Sequence, residues 1–375
     1  MWHSIALHES QLCLSSVLRP GQSFRWSILA SEPPEYRLCL PDRVVCLKQD
    51  INTLFYRAVF PDPQPSPLQL SLRQAETLPF LNSYFQLDVD LQKLYAEWSA
   101  RDKVFSAIET RFSGIRILRQ DPWENLVSSI CSSNNNIGRI TKMVQNLCRH
   151  YSAPLLSMVD PWDPSIQVQY YPFPPVSVLA APNVGPTLRT LGFGYRADFI
   201  QRTAKMLVDT HGSGQAPEKF LASLRNVSTD QAREELLKFV GVGRKVADCV
   251  LLMSLDKKEV IPVDTHVQQI AIKHYGLKGS LSSKATMTPK LYEEIRSRLF
   301  AVWGDYAGWA HSVRVNLLMP AARTYPVVGP INLKSILVTW SLTIARTQDR
   351  CHGFDPSTDT LSSQTQSSIC RDPLR

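Results

Sequence analysis

Two side chains nineteen positions apart, Lys245 and Asp264, are of types that could carry covalent chemistry together. Lys245 lies in the run Val240-Gly241-Val242-Gly243-Arg244-Lys245-Val246-Ala247-Asp248-Cys249. Gly241 and Gly243 let the backbone turn sharply and approach another surface closely. The apolar pattern that follows reads as a helix, which puts Lys245 in its first turn, where the helix dipole repels a cation. The dipole, with Arg244 alongside, is expected to lower the lysine pKa and free some neutral amine, a nucleophile. A lysine resting on a phosphate, or a solvated one, fits the same position. Asp264 ends the run Ile261-Pro262-Val263 and stands at the N-cap of a helix opening at Thr265. Capping alone would explain it, but an ionised carboxylate facing the neighbouring helix start could also stabilise a developing cation or move protons. Lys245, Cys249 and Met253 are each four apart and share one helix face. The sulfur residues are then either the wall of a pocket below the lysine or ordinary core.

The elements that hold this pair can be read on either side of it. Ser228 and Gln231 have capping-box spacing and open a helix ending near Phe239. With the second helix this makes a helix-hairpin-helix. Its free amides, up to that of Val246, and its positive dipole end can grip a phosphate backbone without reading sequence. A plain interhelical turn is the alternative. Upstream, strand-like runs at 36–40, 44–47 and 53–59, separated by turn signals, predict a small antiparallel sheet. Helical periodicity takes over from about Thr77, with helices expected near 121–132, 137–150, 176–182, 197–210, 230–238, 244–255, 265–274, 289–302 and 305–313. A proline-rich stretch at 154–185 reads as a break between two helical groups, and from about 347 the composition is that of a poorly ordered tail. The expected fold class is α+β.

The 375 residues carry 41 Lys plus Arg against 33 Asp plus Glu, a net charge of +8 that weakly favours a polyanionic partner. None of the eight cysteines forms a C-x-x-C pair, so neither a zinc site nor an iron–sulfur cluster is expected. The first residues do not read as a secretory leader, and a reducing compartment with free thiols is expected. The longest apolar run near the end, 331–345, is too short and too polar for a bilayer.

The hairpin run, followed by Pro262-Val263-Asp264-Thr265-His266, closely resembles the helix-hairpin-helix DNA glycosylases, and within them the eukaryotic 8-oxoguanine DNA glycosylase/AP lyases. Gly21-Gln22-Ser23-Phe24-Arg25-Trp26, Tyr84-Phe85-Gln86-Leu87-Asp88, Leu118-Arg119-Gln120-Asp121-Pro122, Ser133-Asn134-Asn135-Asn136-Ile137, Leu191-Gly192-Phe193-Gly194-Tyr195-Arg196-Ala197 and Trp303-Gly304-Asp305-Tyr306-Ala307-Gly308-Trp309-Ala310 match in the same order. The resemblance implies a TBP-like antiparallel sheet domain over 1–115 and a two-part helical catalytic domain over 116–320, with 321–375 left as a divergent tail. It implies that Lys245 attacks the sugar C1′ and that Asp264 is the catalytic carboxylate. Gly21 would sense the N7 hydrogen of the oxidised base through its carbonyl, and Cys249 would pack on a base face. Asn134 and Tyr195 would fill the gap left in the duplex, while Arg139 and Arg196 would bind the orphaned cytosine. His266 and the hairpin amides would hold phosphates. Damaged duplex DNA is the implied partner, with a monomer, no cofactor or metal, no membrane, and a nuclear (alternatively mitochondrial) location. Without the resemblance, the Asn run reads as a polar turn and Tyr195 as an exposed aromatic.

The match fails after Val313. His311 stands where the family commonly has the glutamine that reads the base's pairing edge, and Val315 where it has a phenylalanine that stacks on the base. Val240 replaces a usual proline. An alternative C-terminus is the expected origin of the break. A glycosylase for another lesion is disfavoured by Lys245, because simple hydrolytic versions need only the aspartate. A member that binds DNA without turning over, and a generic hairpin binding module, are the remaining rivals.

Overall fold

The computed structural model describes residues 1–18, 21–63, 66–278 and 287–318; the side chains of 314–318, Val315 among them, and the expected tail lie outside what is described. Strands β1 (His3–Ala6), β2 (Ser27–Leu29), β3 (Glu35–Cys39), β4 (Val44–Gln49) and β5 (Thr53–Val59) form one antiparallel sheet in the order β1-β5-β4-β3-β2. The three strands expected from sequence are its centre. β1 and β2 are short edges with little apolar alternation to announce them.

Side chains alternate across a strand, and here both faces are used. Tyr36, Leu38, Val45, Leu47, Leu54 and Tyr56 face a core that also takes Leu14 and Val17 of α1 (Leu14–Val17) and Leu81, Tyr84 and Phe85 of α3 (Thr77–Phe85). Helix α2 (Pro67–Ala75) precedes α3 and buries no residue. Cys39, Val44 and Cys46 point the other way, against Met158 and Tyr170 of a hairpin, β6 (Leu156–Val159) and β7 (Gln167–Tyr170). That hairpin lies inside the stretch read as a proline-rich break. Its strands are only four residues each, and their burial is supplied by the distant sheet.

The helices form two further cores. One joins α6 (Pro122–Ser132), α7 (Ile137–Tyr151), α8 (Val176–Leu179), α9 (Val184–Thr190), α10 (Arg196–His211), α11 (Ala216–Ser223) and α12 (Thr229–Leu237). The other joins α4 (Leu91–Arg101) and α5 (Lys103–Ser106) to residues that follow α13 (Arg244–Ser254): α14 (Thr265–Tyr275), α15 (Pro289–Trp303) and α16 (Ala307–Leu318). α13 belongs to both, with Val250 and Leu251 in the first and Leu252 and Met253 against the second. Residues 246–252 and Ser254 are all buried, so the helix is anchored on every side. Its N-terminus is therefore a rigid place to mount a reactive group.

Candidate active site

Helix α12 opens with the reciprocal capping box of Ser228 and Gln231 expected from sequence. The turn after it is fixed by sterics. Gly241 has φ +79°, and a Cβ there would lie 2.3 Å from Cδ2 of Phe199 on α10. Thr203 of the same helix donates to the Val240 carbonyl at 3.1 Å, and Val242 is buried in the first core. Gly243 has no such internal constraint: it is exposed, and its Cβ would meet nothing within 4 Å. It is the N-cap of α13 and offers no capping side chain, which leaves the first-turn amides, that of Val246 included, open to an outside anion. For Gly241→Ala, left-handed backbone strain and overpacking together predict a loss of about 2–5 kcal/mol. A thermal melt that moves by less than a degree would contradict the clash with Phe199.

Lys245 is half-buried one residue into α13. Its pKa is raised, first by the Cys249 sulfur one turn on and then by the Asp264 carboxylate, against burial, which lowers it. This corrects the sequence expectation of a lowered value. The dipole and Arg244 oppose the charge, but the Cys249 sulfur one turn along the same helix and the Asp264 carboxylate that the fold brings in outweigh them, and Arg244 is itself turned away to pair with Glu293. Burial pushes the Cys249 thiol up. Asp264 is the N-cap of α14, and its Oδ1 accepts from the amides of His266 (2.9 Å) and Val267 (3.0 Å). Its carboxylate is thus fixed in orientation while still acting on Lys245. His266 is exposed in the first turn of α14. Met253 is half-buried on the Lys245–Cys249 face, at the edge of the second core.

A second group of residues converges on the Asn-Asn-Asn turn. Asn136 caps α7, and Asn135 donates to the Cys131 carbonyl at 2.9 Å. Asn134 is exposed, as Asn136 is, and lies in the left-handed region at φ +48°, its side chain engaged in neither contact. Tyr195 is 48% exposed, and its hydroxyl donates to the Ser133 carbonyl at 3.2 Å. Arg139 is exposed and donates to the Gly192 carbonyl at 3.1 Å. Arg196, only 3% exposed, donates to the carbonyls of Ser133 and of Asn134 (3.0 Å). In this structure it supports the turn from behind rather than presenting its guanidinium at the surface.

Gly21 sits between the two groups. Its φ is +88°, and a Cβ would come within 3.3 Å of Ile137 at the start of α7. Next to it, Gln22 accepts from the Leu118 amide (3.0 Å) and donates to the Arg116 carbonyl (2.8 Å). Gln120 donates to the Gln22 carbonyl (2.9 Å), and its amide to the Met253 carbonyl (2.8 Å). This ladder ties the Gly21 loop to the end of α13, and sequence reading missed it, because a glutamine bridge leaves no pattern. His311 is 8% exposed on α16. That helix docks through Gly308, whose Cβ would stand 2.2 Å from the Val260 carbonyl. Among the described residues no cluster of His, Cys, Asp and Glu could hold a metal, and no helix is long and apolar enough to cross a membrane.

An antiparallel sheet joined to a helical pair with a buried-side lysine and a capping aspartate defines a class, the helix-hairpin-helix base-excision proteins. Residues 4–126 match the model of the 8-oxoguanine DNA glycosylase N-terminal domain, and residues 127–296 that of the HhH-GPD superfamily base excision DNA repair protein. The N-glycosylase/DNA lyase of Saccharomyces cerevisiae is 36% identical over 334 residues, 82% of this chain and 84% of that one. The N-glycosylase/DNA lyase OGG1 of Arabidopsis thaliana is 34% identical over 328 residues, 86% and 82%. The structure resembles MBOgg1 in complex with a low affinity DNA ligand, with 28% identity, a TM-score of 0.65 and coverage of 83% and 93%. It also resembles the apo-form of the Clostridium acetobutylicum 8-oxoguanine glycosylase/lyase, with 25% identity, a TM-score of 0.65 and coverage of 84% and 97%. The chain belongs to the N-glycosylase/DNA lyase family of base-excision repair enzymes.

Proposed function

We propose that this chain excises 8-oxoguanine opposite cytosine from duplex DNA and nicks the strand, acting as a monomer in the nucleus. The observation that carries the reading is the Lys245 amine held beside the Cys249 sulfur and the Asp264 carboxylate at the open N-terminus of α13. The uncapped amides of α13 and exposed His266 take backbone phosphates. The lesion leaves the stack at a cost of a few kcal/mol, offset by Asn134 and Tyr195 entering the gap and by Arg139 reaching the widowed cytosine, while Arg196 braces the turn that carries Asn134. The Gly21 carbonyl accepts from the N7 hydrogen of 8-oxoguanine; guanine N7 is an acceptor and repels it. Cys249 and Met253 line the base pocket, and His311 reads the pairing edge.

The chemistry follows from the amine. Neutral Lys245 attacks C1′, and the glycosidic electron pair leaves with the base, which takes up a proton. Asp264 stabilises the cationic sugar. The ring opens to an iminium joining Lys245 to C1′. Loss of a C2′ proton then expels the 3′ phosphate, and water releases the lysine. The residues do this without a cofactor. Because the Lys245 pKa is raised, the resting group is an ammonium, and excision depends on the small neutral fraction. Single-turnover excision therefore rises from about pH 6 to about pH 9; a flat profile would rule out Lys245 deprotonation as rate-controlling.

The direct test is excision from a duplex carrying 8-oxoguanine opposite cytosine, against the same duplex with guanine and with 8-oxoguanine opposite adenine. A second reading, binding without turnover, is favoured by Val315 standing where the family stacks a phenylalanine. Tight binding with no excision at any pH would select it.

A further inference from the structure

Lys245 and Asp264 belong to different helices, and the chain between them loops away through residues 255–263. Something must return the loop to α13 with fixed spacing. The side chain in that position is Tyr292 of α15, which is 4% exposed. Its hydroxyl donates to Oδ2 of Asp248 at 2.6 Å and accepts from the Val263 amide at 3.1 Å. Asp248, three residues past the lysine on α13, is fully buried, and its other oxygen accepts from Nε of Arg233 on α12 at 2.9 Å. Val263 directly precedes Asp264. On the lysine side, Arg244 lies 4.6 Å from the Tyr292 ring centroid and pairs with Glu293 at 2.5 Å. One helix thus holds the residue before the nucleophile and the residue before the carboxylate.

We propose that Tyr292 is a positioning residue, whose hydroxyl clamps the Val263–Asp264 segment to α13 and so sets the distance between the Lys245 amine and the Asp264 carboxylate. The inference rests on the proposed reaction for its catalytic consequence, but the clamp itself is a matter of structure. Burial and the neighbouring Asp248 raise the phenol pKa far above neutrality, so the hydroxyl keeps the proton it donates. Both hydrogen bonds are buried, and neither partner has water as a substitute.

The test uses the full chain with Tyr292→Phe, which keeps the ring and its contact with Arg244. Hydrogen exchange at the Val263 amide reads the clamp without reference to catalysis. It should quicken at least tenfold in the variant while the interior amides of α13 stay protected. Single-turnover excision at saturating DNA should fall about tenfold, since small misplacements of reacting groups are costly, with DNA affinity within about twofold. The rising limb of the pH profile should move to lower pH, because a carboxylate held farther away supports the ammonium less. Asp248→Leu removes the acceptor and should likewise quicken exchange at Val263, and adding Tyr292→Phe to it should cost no further activity, as two ends of one bridge do. Unchanged exchange at Val263, a loss confined to DNA affinity, or additive losses would each overturn the clamp. If Tyr292→Phe fails to fold, the Val263 amide of the unaltered chain decides: protection comparable with the α13 interior supports the clamp, and exchange at the rate of an open loop overturns it. If the unaltered chain excises nothing, the proposed reaction falls, and the exchange experiment still decides the clamp.

Discussion

Lys245→Gln should form no borohydride-trapped adduct with an 8-oxoguanine:cytosine duplex, where the unaltered chain forms one. Its base release should fall by at least about 10³-fold, as losses of a nucleophile do. Glutamine keeps a comparable length and polarity, so the fold should be untouched. DNA affinity separates this reading from the alternative that the lysine is a phosphate contact. A phosphate lysine contributes about one unit to the slope of log affinity against log salt. A nucleophile directed into the pocket contributes little to it, and the grip comes from the α13 amides at Gly243–Val246. A variant with unchanged salt slope and no adduct identifies the nucleophile. One that still releases base at the full rate, with a shallower slope, shows that Lys245 only binds the backbone. If the unaltered chain is folded and DNA-bound yet traps nothing, the pocket has lost its chemistry and the binding-only reading takes over.

The second large effect is expected at Asp264, which has two jobs that one substitution can separate. As the N-cap of α14 it accepts from the amides of His266 and Val267. Asparagine can accept the same hydrogen bonds and ranks with aspartate as a cap. Asp264→Asn should therefore melt within a few degrees of the unaltered chain, whereas Asp264→Ala loses about 1 kcal/mol of capping. The charge is what asparagine removes. Excision by Asp264→Asn should fall about 10²-fold, the usual scale for a group that stabilises charge or moves protons in the transition state. The sign of its pH effect is opposite to that of its rate effect. With the Cys249 sulfur, the carboxylate holds the Lys245 pKa up, so removing it increases the neutral amine at a given pH and moves the rising limb to lower pH. A lowered rate with that shift means Asp264 acts on the sugar cation and on the lysine. Full activity in Asp264→Asn would reduce the residue to a helix cap.

The two predictions rest on features that differ in how visible they were beforehand. The capping box at Ser228, the left-handed need at Gly241 and the N-cap at Asp264 are local, and each leaves a signature of residue type and spacing. The central strands were visible for a similar reason: Val44–Gln49 alternates between two cores, and both supply apolar partners. The β6–β7 hairpin was not, because four-residue strands carry too little pattern and their burial comes from a sheet more than a hundred residues upstream. The Lys245 pKa was misjudged from sequence in an instructive way. The Cys249 sulfur, the largest influence raising it, lies one turn along the same helix and could be read from spacing together with the dipole and the arginine; the Asp264 charge that adds to it arrives from another helix, and Arg244 is drawn off by Glu293.

By itself the sequence determined which groups are available and how each is oriented on its own helix: amine, thiol and thioether on one face of α13, a carboxylate at one N-cap, three asparagines at one turn. Those follow from the helix repeat and from capping, which act within a few residues. Only the tertiary structure decided which of them meet. It engaged the side chains of Asn135 and Asn136 in the turn and left Asn134 exposed in the left-handed region, turned Arg196 inward behind that turn, and brought Asp264 to Lys245 through an α15 hydroxyl. Electrostatic interaction depends on distance through space and on how much water is excluded, and neither is a property of spacing along the chain.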